Sequence, residues 1–244
     1  MEQFAYSPIG DVLTIIITCV LLTQITAGHT KRNSGYAYFL QMILFIIVAA
    51  LSNMIYYVAL TAYGSRLPVG FHLLNVLHYI GLFAVQSLNV LYLARLVSLH
   101  GTPPQIIRTA SYSGLIIFSV LEFASNYLSF VVPSLMGLRS KGISVFAFAL
   151  FISLILWILI TRRSRIVRLV FNRLLITYLL CLLVLGIQGI HGQTSFTTAI
   201  YLLPVLQLIH FLHPTPFDAE SGAFDESAFK NMITASYRKR EKLF

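Results

Sequence analysis

Seven apolar runs, separated by short polar or charged breaks, set the pattern of this chain: residues 9–27, 37–63, 71–97, 107–132, 143–160, 169–190 and 196–212. Each is close to the roughly 20 apolar residues a helix needs to cross the hydrocarbon core of a bilayer. The pattern predicts an all-α fold, an integral membrane seven-helix bundle occupying residues 1–213. The breaks are too short for an extracellular domain, so consecutive helices are expected to be antiparallel neighbours. Any ligand would then bind between helices or enter from the bilayer. Downstream of Leu212, Pro214 and Pro216 stop the last helix, because proline disfavours helical geometry in the residue before it. Residues 214–244 follow as a polar segment.

Composition agrees with this reading: 57% of residues are hydrophobic and 10% charged, against about 25% charged in soluble domains. The formal charge is +9. In a membrane protein such an excess marks the cytoplasmic face rather than a nucleic-acid partner. With the N-terminus outside, the inner segments hold Lys31, Arg32, Arg95, Arg108, Arg162, Arg163, Arg165, Arg168, Arg173, Lys230, Arg238, Lys239, Arg240 and Lys242, which is 14 of the 17 basic residues. Only Arg66, Arg139 and Lys141 fall outside. Merging or losing one helix would scramble this alternation, so helix count and orientation support each other. The opening MEQFAYSPIGD lacks the basic lead of a cleavable signal peptide, and the first run is expected to remain as an anchor. Membrane lipids are the implied surroundings.

Candidate chemistry lies where polar residues interrupt the runs. Glu122 reads as the only acidic residue deep inside a span, and a carboxylate at the bilayer centre costs about 3 kcal/mol on insertion scales. On a 3.6-residue period Ser119, Glu122, Asn126 and Ser129 share one face of helix four. On helix three His72, Asn75, His78, Gln86 and Asn89 fall within about a third of the circumference. Asn53 and Tyr57 on helix two, Gln188 and His191 on helix six, and Tyr201, Gln207 and His210 on helix seven add to them. Each could be an interhelical hydrogen bond; together they suggest a polar ligand pocket between helices three, four and seven, anchored by Glu122 and His78. The histidines have no spacing special to haem, and no lysine lies within a span to form a retinal Schiff base. Cys19 and Cys181 sit in apolar runs and offer neither a metal site nor a disulfide framework. No metal or cofactor is expected. Gly186, Gly189 and Gly192 are expected to let helices approach closely, Trp157 to anchor the inner interface beside Arg162, and Pro204 to kink helix seven.

Residues 218–229, DAESGAFDESAF, resemble the opening of bacterial GGDEF-type diguanylate cyclase domains, roughly D-x-L-T-G-L-x-N-R-x-x-F. Asp218, Gly222 and Phe229 fall at the family's spacing, Ser221 takes the threonine position and Asp225 the asparagine position. Glu220 and Ala223 replace its hydrophobic positions, and Glu226 and Ser227 its basic pair. The resemblance implies a sensor in a bacterial plasma membrane, transmitting through Pro204, His210, Pro214, Pro216, Asp218 and Gly222 to a cytoplasmic signalling domain, and a homodimer. Phe244 comes before any GGDEF signature, so these 244 residues are not expected to be an enzyme making cyclic di-GMP. The expected function is detection of a small molecule or membrane state between the helices. The alternative is a small-molecule or proton-coupled transporter with Glu122 as the titrating residue.

Overall fold

The computed structural model describes residues 7–28, 34–64, 67–98, 103–131, 141–163, 168–191 and 197–212. Among them the only regular elements are seven helices: α1 (Ile9–Gly28), α2 (Ser34–Tyr63), α3 (Val69–Val97), α4 (Gln105–Val131), α5 (Lys141–Thr161), α6 (Arg168–His191) and α7 (Thr197–Leu212). Four have segments long and apolar enough to cross a membrane: Ala37–Tyr63, Gly70–Val97, Gln105–Asn126 and Ile143–Thr161. Shorter apolar segments are Ile9–Thr23, Phe171–Ile187 and Thr197–Ile209. The protein is helical and membrane-embedded.

The outer surface explains why lipid rather than water must surround it. Val58, Ile116, Val120, Phe146, Ile160 and Leu183 are all exposed large hydrophobics, and stray hydroxyls on the same helices are satisfied locally. Thr26, Thr61, Ser153 and Thr161 each donate to the carbonyl four residues earlier, at 2.7–2.8 Å. In hydrocarbon an unbonded hydroxyl has no water to turn to, so this back-bonding lets Ser and Thr face lipid.

α3 is the central helix and packs against α2, α4, α5 and α7. Around it, α1 contacts α2 and α7, α4 contacts α5, and α6 contacts α5 and α7. Paired contacts give the directions. Asn75 meets Asn126 and Ser87 meets Ser111, so α3 and α4 run antiparallel. Phe39 meets Tyr92 and Ala49 meets Gly81, so α2 and α3 do too. The odd-numbered helices therefore begin at one end of the molecule, the first end, and the even-numbered ones at the other.

α2 and α3 approach most closely at Gly81, where an added Cβ would stand 3.1 Å from the Ala49 Cβ and 3.2 Å from the Phe45 carbonyl oxygen. Gly186 does not play the part its spacing suggested, since nothing lies within 4 Å of a Cβ built there. It faces open space, and the close approach belongs to a glycine on the central helix. α4 is one-sided. Ile107, Ser111, Phe118, Glu122 and Asn126 face inward, while Ile106, Ile116, Ile117, Val120 and Phe123 face out. α7 remains helical through Pro204, which is buried.

Candidate polar site within the helices

Two buried polar clusters flank α3 towards the first end of the molecule. The first is centred on Glu122, which is fully buried. Asn126, one turn further along α4, donates its amide to the Glu122 carboxyl oxygen at 2.8 Å and to the Glu122 carbonyl at 2.9 Å. Asn75 on α3 donates to the Asn126 side-chain oxygen at 2.9 Å. The carboxyl group is thus oriented by a relay running from α3 to α4, and the i, i+4 spacing of Glu122 and Asn126 makes it possible. Tyr201 of α7 is fully buried and lies within electrostatic reach of both Glu122 and Tyr79. Its ring packs on Phe148 of α5 at 4.6 Å between centroids.

The second cluster holds a buried acid at the edge of a span, which the sequence reading, centred on Glu122 deep inside one, does not single out. Asp11, in the first turn of α1, is only 1% exposed. Its two carboxyl oxygens accept from the Asn53 amide of α2 and the Thr198 hydroxyl of α7, each at 2.6 Å. His78 of α3 is within electrostatic range of Asp11 and places its Nδ1 2.9 Å from the Ala49 carbonyl of α2. Below Asp11 the α1 face is also polar, with Thr14 donating to the Gly10 carbonyl and Thr18 to that of Thr14. An acid beside the N-terminal proline of a helix reads as a surface residue favoured by the helix dipole. Only the arrival of α2 and α7 around it makes it interior.

His78 and Glu122, the two expected anchors, therefore belong to different clusters, His78 turned towards α1 and α2 and Glu122 towards Asn126 and α7. Adjacent residues on α3, His78 and Tyr79, serve the two sides. α7 borders both: Thr198 donates to Asp11, and Tyr201, three residues on along the same helix face, lies within electrostatic range of Glu122.

Deeper along α3, Ser87 and Ser111 exchange hydroxyl hydrogen bonds at 2.8 Å, and the Ser111 hydroxyl reaches the Ser87 carbonyl at 3.0 Å. Such interhelical bonds are worth about 0.6 kcal/mol on average in membrane proteins and up to about 2. Ser111→Ala is therefore expected to lower unfolding stability in bicelles by about 1 kcal/mol, with Ser87→Ala adding little once Ser111 is gone. Gln86 and Asn89 are fully buried, and neither has a side-chain hydrogen bond among the described residues. The Asn89 amide faces Tyr178 of α6.

Of the other expected residues, Ser119, His72 and Gln207 are half-buried. The side chains of His210, Gln188, His191 and Ser129 lie outside the described residues, as do Pro214, Pro216, Asp218 and Gly222 with all of residues 213–244. No group of three or more metal-ligating side chains occurs among the described residues. A cleft of about 470 Å³ opens at the opposite end, between α3, α4 and α5. The chain matches no known family, no curated protein and no solved structure.

Proposed function

We propose that the chain is a seven-span membrane sensory domain. Its N-terminus lies outside the cell, and α7 carries the state of its polar interior to the cytoplasmic segment 214–244, which resembles the start of a GGDEF-type domain. The observation that carries this reading is the Thr198 hydrogen bond from α7 to Asp11, with Tyr201 buried on the same face of α7 within electrostatic range of Glu122. A small polar molecule, or a proton, that rearranged either cluster would change what surrounds α7. A stimulus biases the output only by favouring one of two arrangements, and a helix bordering both clusters is suited to report such a change. The charge distribution supports the orientation. Arg95, Arg108, Arg162 and Arg163 lie at the end where α3 and α5 finish and α4 begins, while Asp11 and Glu122 lie towards the other. A bacterial plasma membrane and a homodimer belong to the same proposal, through the resemblance of residues 218–229.

The test uses Cys181 of α6, whose thiol faces the Ile200 carbonyl of α7 at 3.5 Å. Compounds are first screened for those that stabilise the wild type and not Glu122→Gln. In an Ile200→Cys variant, oxidative bridging to Cys181 should abolish the compound-induced change reported by a fluorophore in the cytoplasmic segment and leave compound affinity intact. Reductant should restore the change. An unaltered change after bridging would sink the α7 route.

A second reading, proton-coupled transport, is favoured by one observation: two buried carboxyls, Asp11 and Glu122, flank a helix that carries His78. Substrate flux into liposomes that Glu122→Gln abolishes would put transport first.

A further inference from the structure

We infer that the cleft between the ends of α3, α4 and α5 is a binding site for an anionic phospholipid. Its walls are apolar, built from Val97 of α3, Ile107 of α4 and Ile158 of α5, and its rim carries Trp157, Thr161 and Arg162. A cleft of about 470 Å³ falls within the roughly 300–1,000 Å³ of small-molecule sites. Trp157 and Arg162 are both exposed at that rim, five residues apart where α5 ends. A long apolar wall with an indole and a guanidinium at its mouth matches an acyl chain below a phosphate.

Charge complementarity selects the headgroup. Arg162 stands at the mouth, with exposed Arg108 in the first turn of α4 and Arg163 beside it, over the Phe171 ring at 5.3 Å. Among the described residues the acidic side chains are Asp11 and Glu122, both buried away from this end. Basic pockets between membrane helices at the cytoplasmic face bind anionic headgroups on this principle. The inference needs only that the protein is membrane-embedded and does not rest on the sensory reading.

Trp157 is the chain's single tryptophan, so its fluorescence reports the cleft. The full chain is reconstituted in bilayers containing dibrominated phosphatidylglycerol or dibrominated phosphatidylcholine at equal mole fraction, and quenching is compared. The wild type should prefer the anionic lipid by about fivefold, the ratio expected of one basic side chain at a charged surface. Arg162→Gln, a change at an exposed position, should weaken the preference severalfold, and Arg162→Lys should keep most of it. Equal quenching by the two lipids in the wild type, or a preference unchanged in Arg162→Gln, overturns the site. So does relief of quenching by millimolar inorganic phosphate, which would make it a site for the free anion. A preference that emerges only after neutralising Asp218, Glu220, Asp225 and Glu226 would assign the cleft to the chain's own acidic segment and equally overturn the proposal.

Discussion

Asp11→Ala should lower the unfolding free energy in detergent or bicelles by about 2–4 kcal/mol, because hydrogen bonds to a carboxyl are stronger than neutral ones and their donors are left buried without an acceptor. Two donors are stranded, the Asn53 amide and the Thr198 hydroxyl. Asp11→Asn keeps one carbonyl oxygen and should lose about half as much. In a double-mutant cycle with Thr198→Val the coupling should be about 1 kcal/mol. A coupling near zero would show that Thr198 does not depend on Asp11 and that α1 and α7 are held by apolar packing alone. The effect is large for an acid in a first helical turn because Asp11 ties three helices together through the Asn53 and Thr198 hydrogen bonds.

At Gly81 size alone is expected to decide. Gly81→Ala puts a Cβ 3.1 Å from that of Ala49 and 3.2 Å from the Phe45 carbonyl oxygen, and overpacking of this kind costs about 1–3 kcal/mol. Backbone lies on one side of the contact, so no side-chain rotation relieves it. Gly81→Leu should separate α2 from α3 and abolish monodisperse protein on size exclusion. The control is Gly186→Ala. It meets nothing within 4 Å and should be neutral or stabilising by up to about 1 kcal/mol, since alanine is the better helix former. Thermal unfolding of the three variants side by side gives the ranking, and equal behaviour of Gly81→Ala and Gly186→Ala would remove Gly81 from the packing argument.

These two sites also mark how far the residues alone could be read. Helix positions follow from the apolar runs, since each run is long and its breaks are polar, charged or proline-containing. The inward face of α3 is largely legible as well: of His72, Asn75, His78, Gln86 and Asn89, which share an arc at 100° per residue, the last four are buried and His72 is half-buried. That arithmetic sees one helix at a time. It could not tell which cluster His78 joins, because this depends on Asp11 arriving from a helix that begins more than sixty residues earlier. Asp11 itself was visible as an acid two residues inside an apolar run, and the matching polar residues Asn53 and Thr198 were there to suggest a partner. Without the register of α1 against α2 and α7, nothing linked them. The glycines show the same limit. A three-residue period identifies a narrow face and not whether a neighbour fills it: Gly186 stands open, the surroundings of Gly189 and Gly192 lie outside the described residues, and the isolated Gly81 makes the close approach. The cleft at the far end needed three helix termini to meet, which no single run encodes.

The position of α3 has a consequence for how the protein is made. Five buried polar side chains lie along it, Asn75, His78, Gln86, Ser87 and Asn89, each costly if it faces lipid during synthesis, while α2, just before it, is apolar and supplies both the Ala49 carbonyl for His78 and the seat for Gly81. α3 is therefore a poor candidate for leaving the translocon alone. It is expected to enter the bilayer paired with α2, and Asn75 and Ser87 find their partners Asn126 and Ser111 only once α4 has emerged. The order of translation thus becomes an order of assembly, and the central helix is the step on which biogenesis of the remaining four depends.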